Sequence, residues 1–115
     1  SLGMPRARST LAKDSLLDEI VRRLVRTYAP ENVYLFGSTA RGDAGPDSDY
    51  DILVVVADAT PPDRRQARAG YEARWGLKRS GDILVCTRGQ FDDRVSIPWS
   101  IPEAVTREGV VLYAA

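Results

Sequence analysis

The chain has 115 residues, 43% of them hydrophobic and 28% charged, and its 16 Lys and Arg balance its 16 Asp and Glu. These values are typical of one globular domain, too small to divide into two. A protein that follows a nucleic-acid backbone normally carries a basic excess, so nucleic acid is not expected as a partner. Histidine is absent, which removes the commonest general base and transition-metal ligand, so acid–base or metal chemistry must depend on carboxylates.

The N-terminus and the cysteine content bear on location. No apolar run is long enough to cross a bilayer and no signal-peptide pattern is present, so no membrane is expected as a partner. The single cysteine, Cys86, lies in an apolar run; it is expected to be a buried hydrophobic residue in a reducing compartment, most simply the cytoplasm. We expect residues 1–8 to be a disordered N-terminus that includes a cloning remnant, and residues 9–115 to form the single domain.

The first half of the domain predicts one helix and two strands. Apolar residues recur at helical spacing from Ser9 to Tyr28, and Pro30 ends this amphipathic helix. The segment from Asn32 to Phe36 is a short strand ended by Gly37. The segment from Tyr50 to Val56 gives the strongest strand signal, because it is apolar on both faces and β-branched at its end.

The second half predicts two helices and two strands. They are a helix from Pro61 to about Arg79, a strand from Asp82 to Thr87, a loop followed by a short helix near Glu103 to Arg107, and a strand from Gly109 to Tyr113. The inner face of the long helix is predicted to consist of Ala67, Tyr71, Trp75 and Lys78. The whole order indicates an α/β domain with one small mixed sheet of about four strands. Its two clear helices are expected mainly on one face, leaving an apolar area for a partner or a second copy.

The placement of polar residues predicts the strand directions. The Gly37-Ser38 turn follows the first strand, and acidic residues open the second, so the two meet only if these strands are antiparallel. The helix before the third strand is long enough for a right-handed parallel crossover. Asp82, which opens the third strand, is then expected beside Asp49 and Asp51.

The stretch LFGSTARGDAGPDSDYDILVVV, residues 35–56, therefore concentrates the candidate chemistry. Asp49 and Asp51 are two apart on an extended segment and point to one face, where they repel each other unless a cation lies between them. A hard divalent ion such as Mg²⁺ takes oxygen ligands and completes its shell with water and substrate phosphates. A third carboxylate, Asp82, would serve a second ion or accept the proton of an attacking hydroxyl.

The turn before the acids supplies a site for an anion. Gly37 allows a close approach of the backbone, and Ser38 offers a hydroxyl and an N–H, so a triphosphate can rest on the turn. An EF-hand loop is excluded because Ile52 stands where glycine is required and Asp58 where glutamate is required. A Walker-type loop is excluded because no Gly-Lys-Ser/Thr follows the glycine. A solvated turn is favoured over a direct role for the residues Asp43, Gly45, Pro46 and Asp47.

These motifs resemble a known superfamily. Gly37-Ser38 followed by Asp49-Tyr50-Asp51 is similar to the signature of the DNA polymerase β-like nucleotidyltransferases. The longer string resembles the minimal nucleotidyltransferases, which are single-domain prokaryotic proteins often found with HEPN-type toxins. The later GDILVCT matches the position of that family's third acid, Asp82, and TREGVVLY resembles its closing strand.

The resemblance implies a fold, a set of ligands and residue roles. It implies the nucleotidyltransferase fold, with Mg²⁺ or Mn²⁺ as metal and ATP or another NTP as donor. Gly37 and Ser38 would hold nucleotide phosphates, and Arg41 would either contact phosphate or, as we favour, brace the turn by pairing with Asp43 or Asp47. The metal ligands and catalytic acids would be Asp49, Asp51 and Asp82.

The implied activity is transfer of a nucleoside monophosphate, AMP from ATP, to a hydroxyl acceptor with release of pyrophosphate. In the minimal family this corresponds to an antitoxin that adenylylates a tyrosine of a helical HEPN-type toxin. One alternative is a non-catalytic antitoxin that caps its partner or self-associates, with a vestigial or nucleotide-binding site. Another is a small-molecule modifier of the antibiotic-modifying kind, which normally needs a further domain for its acceptor.

Overall fold

A computed structural model describes residues 3–43, 45, 49–77 and 81–115. Within these residues the strands are β1 (Arg6–Ala7), β2 (Asn32–Phe36), β3 (Asp51–Val56), β4 (Ile83–Thr87) and β5 (Val110–Ala114). The α-helices in the same ranges are α1 (Ser15–Tyr28), α2 (Gly37–Arg41), α3 (Ala67–Ala73), α4 (Arg88–Arg94) and α5 (Ile101–Glu108). The predictions made for Pro46, Asp47 and Lys78 lie outside the described residues.

The strands form one mixed sheet in the order β1-β5-β2-β3-β4. β2 and β3 are antiparallel, and β3 and β4 are parallel, as the sequence predicted. β5 pairs antiparallel with β2 and parallel with β1. The α/β class with a single mixed sheet is therefore confirmed, although the sheet has five strands rather than four. The added strand β1 lies within the segment that was expected to be disordered.

Helices cover both faces of the sheet, which corrects the expectation that they lie mainly on one. On one face α1 and α3 pack over Val33, Val54 and their neighbours. On the other face α4 and α5 cover Leu53 and Val55, both of which are buried. The central strand β3 is thus enclosed on both sides, and no apolar area of it remains for a partner.

The missed helix α4 explains this difference. Pro98 and Pro102 predicted an irregular segment after β4. In the structure the seven residues of α4, which precede Pro98, form a helix. A capping box begins α4: Thr87 accepts from the N–H of Gln90 at 3.1 Å, and the Gln90 side chain accepts from the N–H of Thr87 at 2.9 Å. Phe91 on α4 then stacks against Tyr34 of β2. The Thr-x-x-Gln pattern was present in the sequence and could have revealed this helix.

The helix predicted from Pro61 to about Arg79 is much shorter than expected. Of residues 61–77, which the structure describes, only 67–73 are α-helical, and a 3₁₀ turn precedes them. Its buried residue is Gly70, whereas Tyr71 is exposed and Trp75 is 85% exposed, so the predicted inner face is wrong at both aromatics. The hydroxyl of Tyr28 accepts from the N–H of Gly70 at 2.7 Å, and this contact places the backbone of α3 directly against α1.

None of the helices in the described ranges is both long and apolar enough to traverse a lipid bilayer.

The turn between α4 and α5 holds an aromatic residue in a strained conformation. The N–H of Ser100 donates to the carbonyl of Ile97 at 3.2 Å, Pro98 occupies the second position, and Trp99 occupies the third with φ +69°. This is the pattern of a type II turn, whose third position favours glycine. Trp99 is also 90% exposed, so its indole gains little packing energy.

Trp99→Gly is therefore expected to stabilise the isolated chain by about 1 kcal/mol, because it relieves the positive φ at a site with little packing to lose. The check is the free energy of unfolding from a denaturant titration. Trp75→Gly is the matched control, since it removes an equally exposed indole without a positive φ and is expected to be neutral or destabilising. Equal effects of the two substitutions would contradict the strain argument.

Candidate active site

The strand register brings two of the predicted acids together. Ile52 pairs with Ile83, and the N–H of Ile52 donates to the carbonyl of Asp82 at 2.9 Å, so Asp51 and Asp82 are neighbours at the start of two parallel strands. Asp51 also pairs with Phe36 of β2, and residues opposite each other in an antiparallel pair share a face. The two carboxylates therefore project from the face that α4 and α5 cover, at the edge of the sheet where β2 ends.

Gly37 lies directly against the carboxylate of Asp51. Its φ is +78°, and a Cβ at this position would stand 2.5 Å from Oδ2 of Asp51. Such a distance is well inside van der Waals contact, so a side chain here would displace the carboxylate. The sequence predicted that Gly37 lets the backbone approach a ligand closely, which stays a prediction; in the structure its backbone lies close to the carboxylate of Asp51.

Tyr50, which lies between Asp49 and Asp51 in the chain, fixes the position of this motif through its side chain. It is 2% exposed, and its hydroxyl donates to the carboxylate of Asp14. Asp14 in turn begins α1, accepting from the N–H of Leu17 at 3.0 Å. The middle residue of the Asp-x-Asp motif is thus tied to the first turn of α1, an arrangement the sequence did not reveal because 36 residues separate the partners.

A second contact joins the turn to the Asp-x-Asp motif. The hydroxyl of Thr39 on α2 donates to the carbonyl of Asp49 at 2.7 Å. Asp49 itself is exposed, and Ser38 is half-buried at the start of α2. The turn and the motif are therefore hydrogen-bonded to each other, and Thr39 is a site residue that the sequence analysis missed.

The surroundings of Asp51 disfavour the charged form of its carboxyl group. Burial raises the pKa of the Asp51 carboxyl above its ordinary value, and the charges of Asp82 and Asp49 raise it further. A hydrogen bond from the backbone N–H of Asp82 and the charge of Arg41 oppose the shift without cancelling it. A cation held among these carboxylates would relieve the repulsion.

The donor set suits a hard divalent cation that is only partly held by protein. Among the described residues, no three carboxylate or thiol groups lie close enough together to hold a metal ion unaided. Mg²⁺ characteristically takes one or two carboxylates and completes its shell with water and substrate phosphates. The neighbouring carboxylates of Asp51 and Asp82 fit that requirement, because both supply hard oxygen ligands. Asp49, which the sequence places with them, stays a predicted ligand.

Arg41 pairs with two other acidic side chains. Its Nε donates to Oδ2 of Asp43 at 2.9 Å and its terminal nitrogen to Oε1 of Glu108 at 3.0 Å. One of these partners, Asp43, was among those the sequence analysis considered. The other, Glu108, ends α5 and lies 67 residues away in the chain.

Cys86 lies on β4 and is half-buried against the core beneath α4. Burial raises the pKa of its thiol to about 11. The thiolate fraction at pH 8 is then about 100-fold lower than for an ordinary cysteine, so its reaction with a disulfide reagent is expected to be slower in the folded chain by about that factor. Stopped-flow labelling with and without denaturant measures the ratio, and similar rates would show that the thiol is accessible and active.

Comparison with known proteins identifies the family. The model of the nucleotidyltransferase domain matches residues 16–112, which include the turn, all three acids and β5 up to Leu112. The chain belongs to the nucleotidyltransferase domain family. No curated protein sequence matches it significantly.

Solved structures with the same fold support this assignment. A Sulfolobus solfataricus protein assigned as a nucleotidyltransferase is 25% identical with a TM-score of 0.59, and the match covers 87% of this chain and 78% of the other. A toxin–antitoxin complex solved with AMP-PNP is 21% identical with a TM-score of 0.52, covering 85% and 73% of the two chains. A mutant of the toxin–antitoxin MntA–HpeT is 19% identical with a TM-score of 0.50 and the same coverage. At their lower identities the last two show a common fold.

The six predicted site residues of the nucleotidyltransferase lie on α2, at or just before the start of β3, and just before β4: Gly37, Ser38, Arg41, Asp49, Asp51 and Asp82. Asp51 and Asp82 are neighbours, and Gly37 touches Asp51. The individual roles of the six residues remain predictions.

Proposed function

We propose that this nucleotidyltransferase moves AMP from ATP to a hydroxyl group in a reaction that depends on Mg²⁺ or Mn²⁺. The observation that carries the proposal is the juxtaposition of the Gly37-Ser38 turn with the carboxylates of Asp51 and Asp82. A phosphate-binding turn and a hard-cation site at one sheet edge are the two parts that phosphoryl chemistry on a nucleoside triphosphate requires.

In the proposed reaction the acceptor oxygen bonds to the α-phosphorus of ATP while the bond to the pyrophosphate oxygen breaks. A bound divalent metal supplies charge neutralisation for the phosphates. Gly37 and Ser38 bind phosphate through backbone N–H groups and the serine hydroxyl, and Asp49 and Asp51 provide metal ligands. Asp82 completes this set or receives the proton that the acceptor hydroxyl loses.

We propose further that the acceptor is a hydroxyl, such as a tyrosine, on a helical HEPN-type toxin, and that the chain acts as its antitoxin in the cytoplasm. The resemblance to minimal nucleotidyltransferases motivates this partner, and the shared fold with two toxin–antitoxin complexes supports it. The exposed Ile97 and Trp99 also favour association with another protein, which is the part of the proposal that a non-catalytic antitoxin would share.

The test is transfer of label from α-labelled ATP to the protein encoded beside this chain in its native host. We expect label in that partner in the presence of Mg²⁺, and a loss of at least about 100-fold when a chelator removes the metal, because metal charge neutralisation contributes several kcal/mol. Release of one pyrophosphate per label is the second readout. Capture of the partner with no label at any metal concentration would instead favour the capping role.

A further inference from the structure

The phosphate-binding helix α2 is too short to be stable by itself. It contains five residues, and Ala40 is the buried one among them. Isolated helices of this length are unstable in water, so the geometry of α2 depends on contacts with the rest of the fold. The N-terminal end of α2 is fixed because Gly37 continues directly from β2. Its C-terminal end leads into an exposed segment.

Contacts of two arginines hold the C-terminal end of α2 to α5. Arg41, the last residue of α2, binds the carboxylate of Glu108 at 3.0 Å. Arg6, from strand β1, donates to the carbonyl of Ala40 and to the carbonyl of Glu108, the latter at 3.4 Å. The final residues of α2 and α5 are thus joined both through a side-chain ion pair and through a shared guanidinium.

Glu108 is the residue that both Arg41 and Arg6 contact. Its side chain is 16% exposed, against 43% for Arg41, and its second oxygen accepts from Arg107 at 3.1 Å. A carboxylate that is mostly buried and bound by two arginines has little freedom to move, so it offers Arg41 a fixed position.

We propose that Glu108 is a positioning residue of the nucleotide site: by binding Arg41 it fixes the orientation of α2 and hence of the Gly37-Ser38 turn. The inference deepens the proposed function, since it assigns the device that aligns the phosphate-binding turn. Glu108 acts through Arg41 and is not expected to contact nucleotide.

The first test measures α2 in the free chain. The N–H of Asp43 donates to the carbonyl of Ser38 at 3.1 Å and that of Gly42 to Thr39 at 3.3 Å, so exchange of these two amides reports opening of the helix end. Glu108→Ala is expected to accelerate their exchange about fivefold, the upper end of what an ion pair with one exposed partner contributes. Glu108→Gln, which keeps the shape and an acceptor oxygen, is expected to give a smaller acceleration.

The second test measures binding of AMP-PNP with Mg²⁺ and separates positioning from general stability. Glu108→Ala is expected to weaken binding about fivefold in the parent chain but by less than about 1.5-fold in an Arg41→Ala background, because Glu108 acts through that arginine. Glu103→Ala is the matched control: this glutamate lies on the same helix and pairs with Arg107, without reaching α2. It is expected to change neither exchange nor binding.

The outcomes separate the inference from the function on which it rests. Unchanged exchange and affinity in both Glu108 variants would overturn the positioning role while leaving the proposed activity intact. An undiminished effect of Glu108→Ala in the Arg41→Ala background would also overturn it. A parent chain that binds no AMP-PNP would overturn the proposed function and the inference with it.

Discussion

Replacing Asp49 and Asp51 together by asparagine is expected to lower the rate of nucleotidyl transfer at least about 1,000-fold. Asparagine keeps the size of each side chain but removes the charge that a divalent cation requires. The loss corresponds to about 4 kcal/mol of transition-state stabilisation, which is within the range attributed to a catalytic metal. Initial rates of pyrophosphate release with saturating Mg²⁺ and ATP measure the effect.

The same change is expected to leave the fold intact and to raise its stability near neutral pH. The pKa of Asp51 is raised in the folded chain, above all by burial, so the folded state binds this proton more tightly than the unfolded chain does. The ionised carboxylate therefore destabilises the fold at pH values above the raised pKa. This destabilisation diminishes as the pH falls through the folded pKa and is absent below the ordinary value for aspartate.

The single substitution Asp51→Asn tests that sign. The melting temperature is expected to rise at about pH 7 and to change little at about pH 3, where the parent carboxyl is itself mostly protonated. Asp63→Asn, on an exposed 3₁₀ turn, is the control and is expected to change neither activity nor the pH dependence of melting. Retention of parental activity by the Asp49/Asp51 double variant would refute the assignment of these residues as metal ligands.

The arrangement of strands β2, β3 and β4 could be predicted because it depends on local features of the sequence. Apolar runs of five or six residues, separated by a Gly-Ser turn or by a helix of sufficient length, allow few directions and neighbours for the strands. Once β2 and β3 are antiparallel and β3 and β4 parallel, the position of Asp82 beside Asp51 follows from the register. The sequence therefore indicated that Asp51 and Asp82 would meet, whereas no group of three potential metal ligands is found among the described residues.

Contacts between distant segments could not be predicted in this way. The bond from Tyr50 to Asp14 and the ion pair from Arg41 to Glu108 join residues 36 and 67 positions apart, and no local pattern identifies such partners. The predicted length of α3 was wrong for a different reason. Apolar side chains at helical spacing predicted a continuous helix, but Trp75 faces solvent because the chain leaves the helix before reaching it.

The bracing role favoured for Arg41 illustrates both limits. Asp43, two residues away, was within reach of sequence reasoning, and the arginine does bind it. Glu108 became a candidate only after the fold placed the end of α5 beside the end of α2. A charged residue on an exposed turn has many potential partners in a chain with 16 acids, and tertiary structure selects among them.

Gly37→Ala is expected to reduce nucleotidyl transfer at least about 100-fold. Two effects combine at this residue: the φ of +78° disfavours any side chain, and the new methyl group would stand 2.5 Å from Oδ2 of Asp51. Either the carboxylate rotates out of its position beside Asp82 or the turn moves away from it. Both responses separate the phosphate-binding turn from the metal-binding acids, and a displacement of about 1 Å is enough for a loss of this size.

Gly42→Ala provides a control that isolates the collision from the backbone strain. Gly42 ends α2 with a φ of +81°, nearly the same as that of Gly37, but a Cβ there would meet nothing within 4 Å. Both alanine variants are expected to lose about 1–2 kcal/mol of stability from the positive φ. Only Gly37→Ala is expected to lose activity, whereas Gly42→Ala should stay within about threefold of the parent chain. Equal activities in the two variants would mean that the contact between Gly37 and Asp51 is not needed for transfer, and the turn and the acids would have to be treated as independent features of the surface.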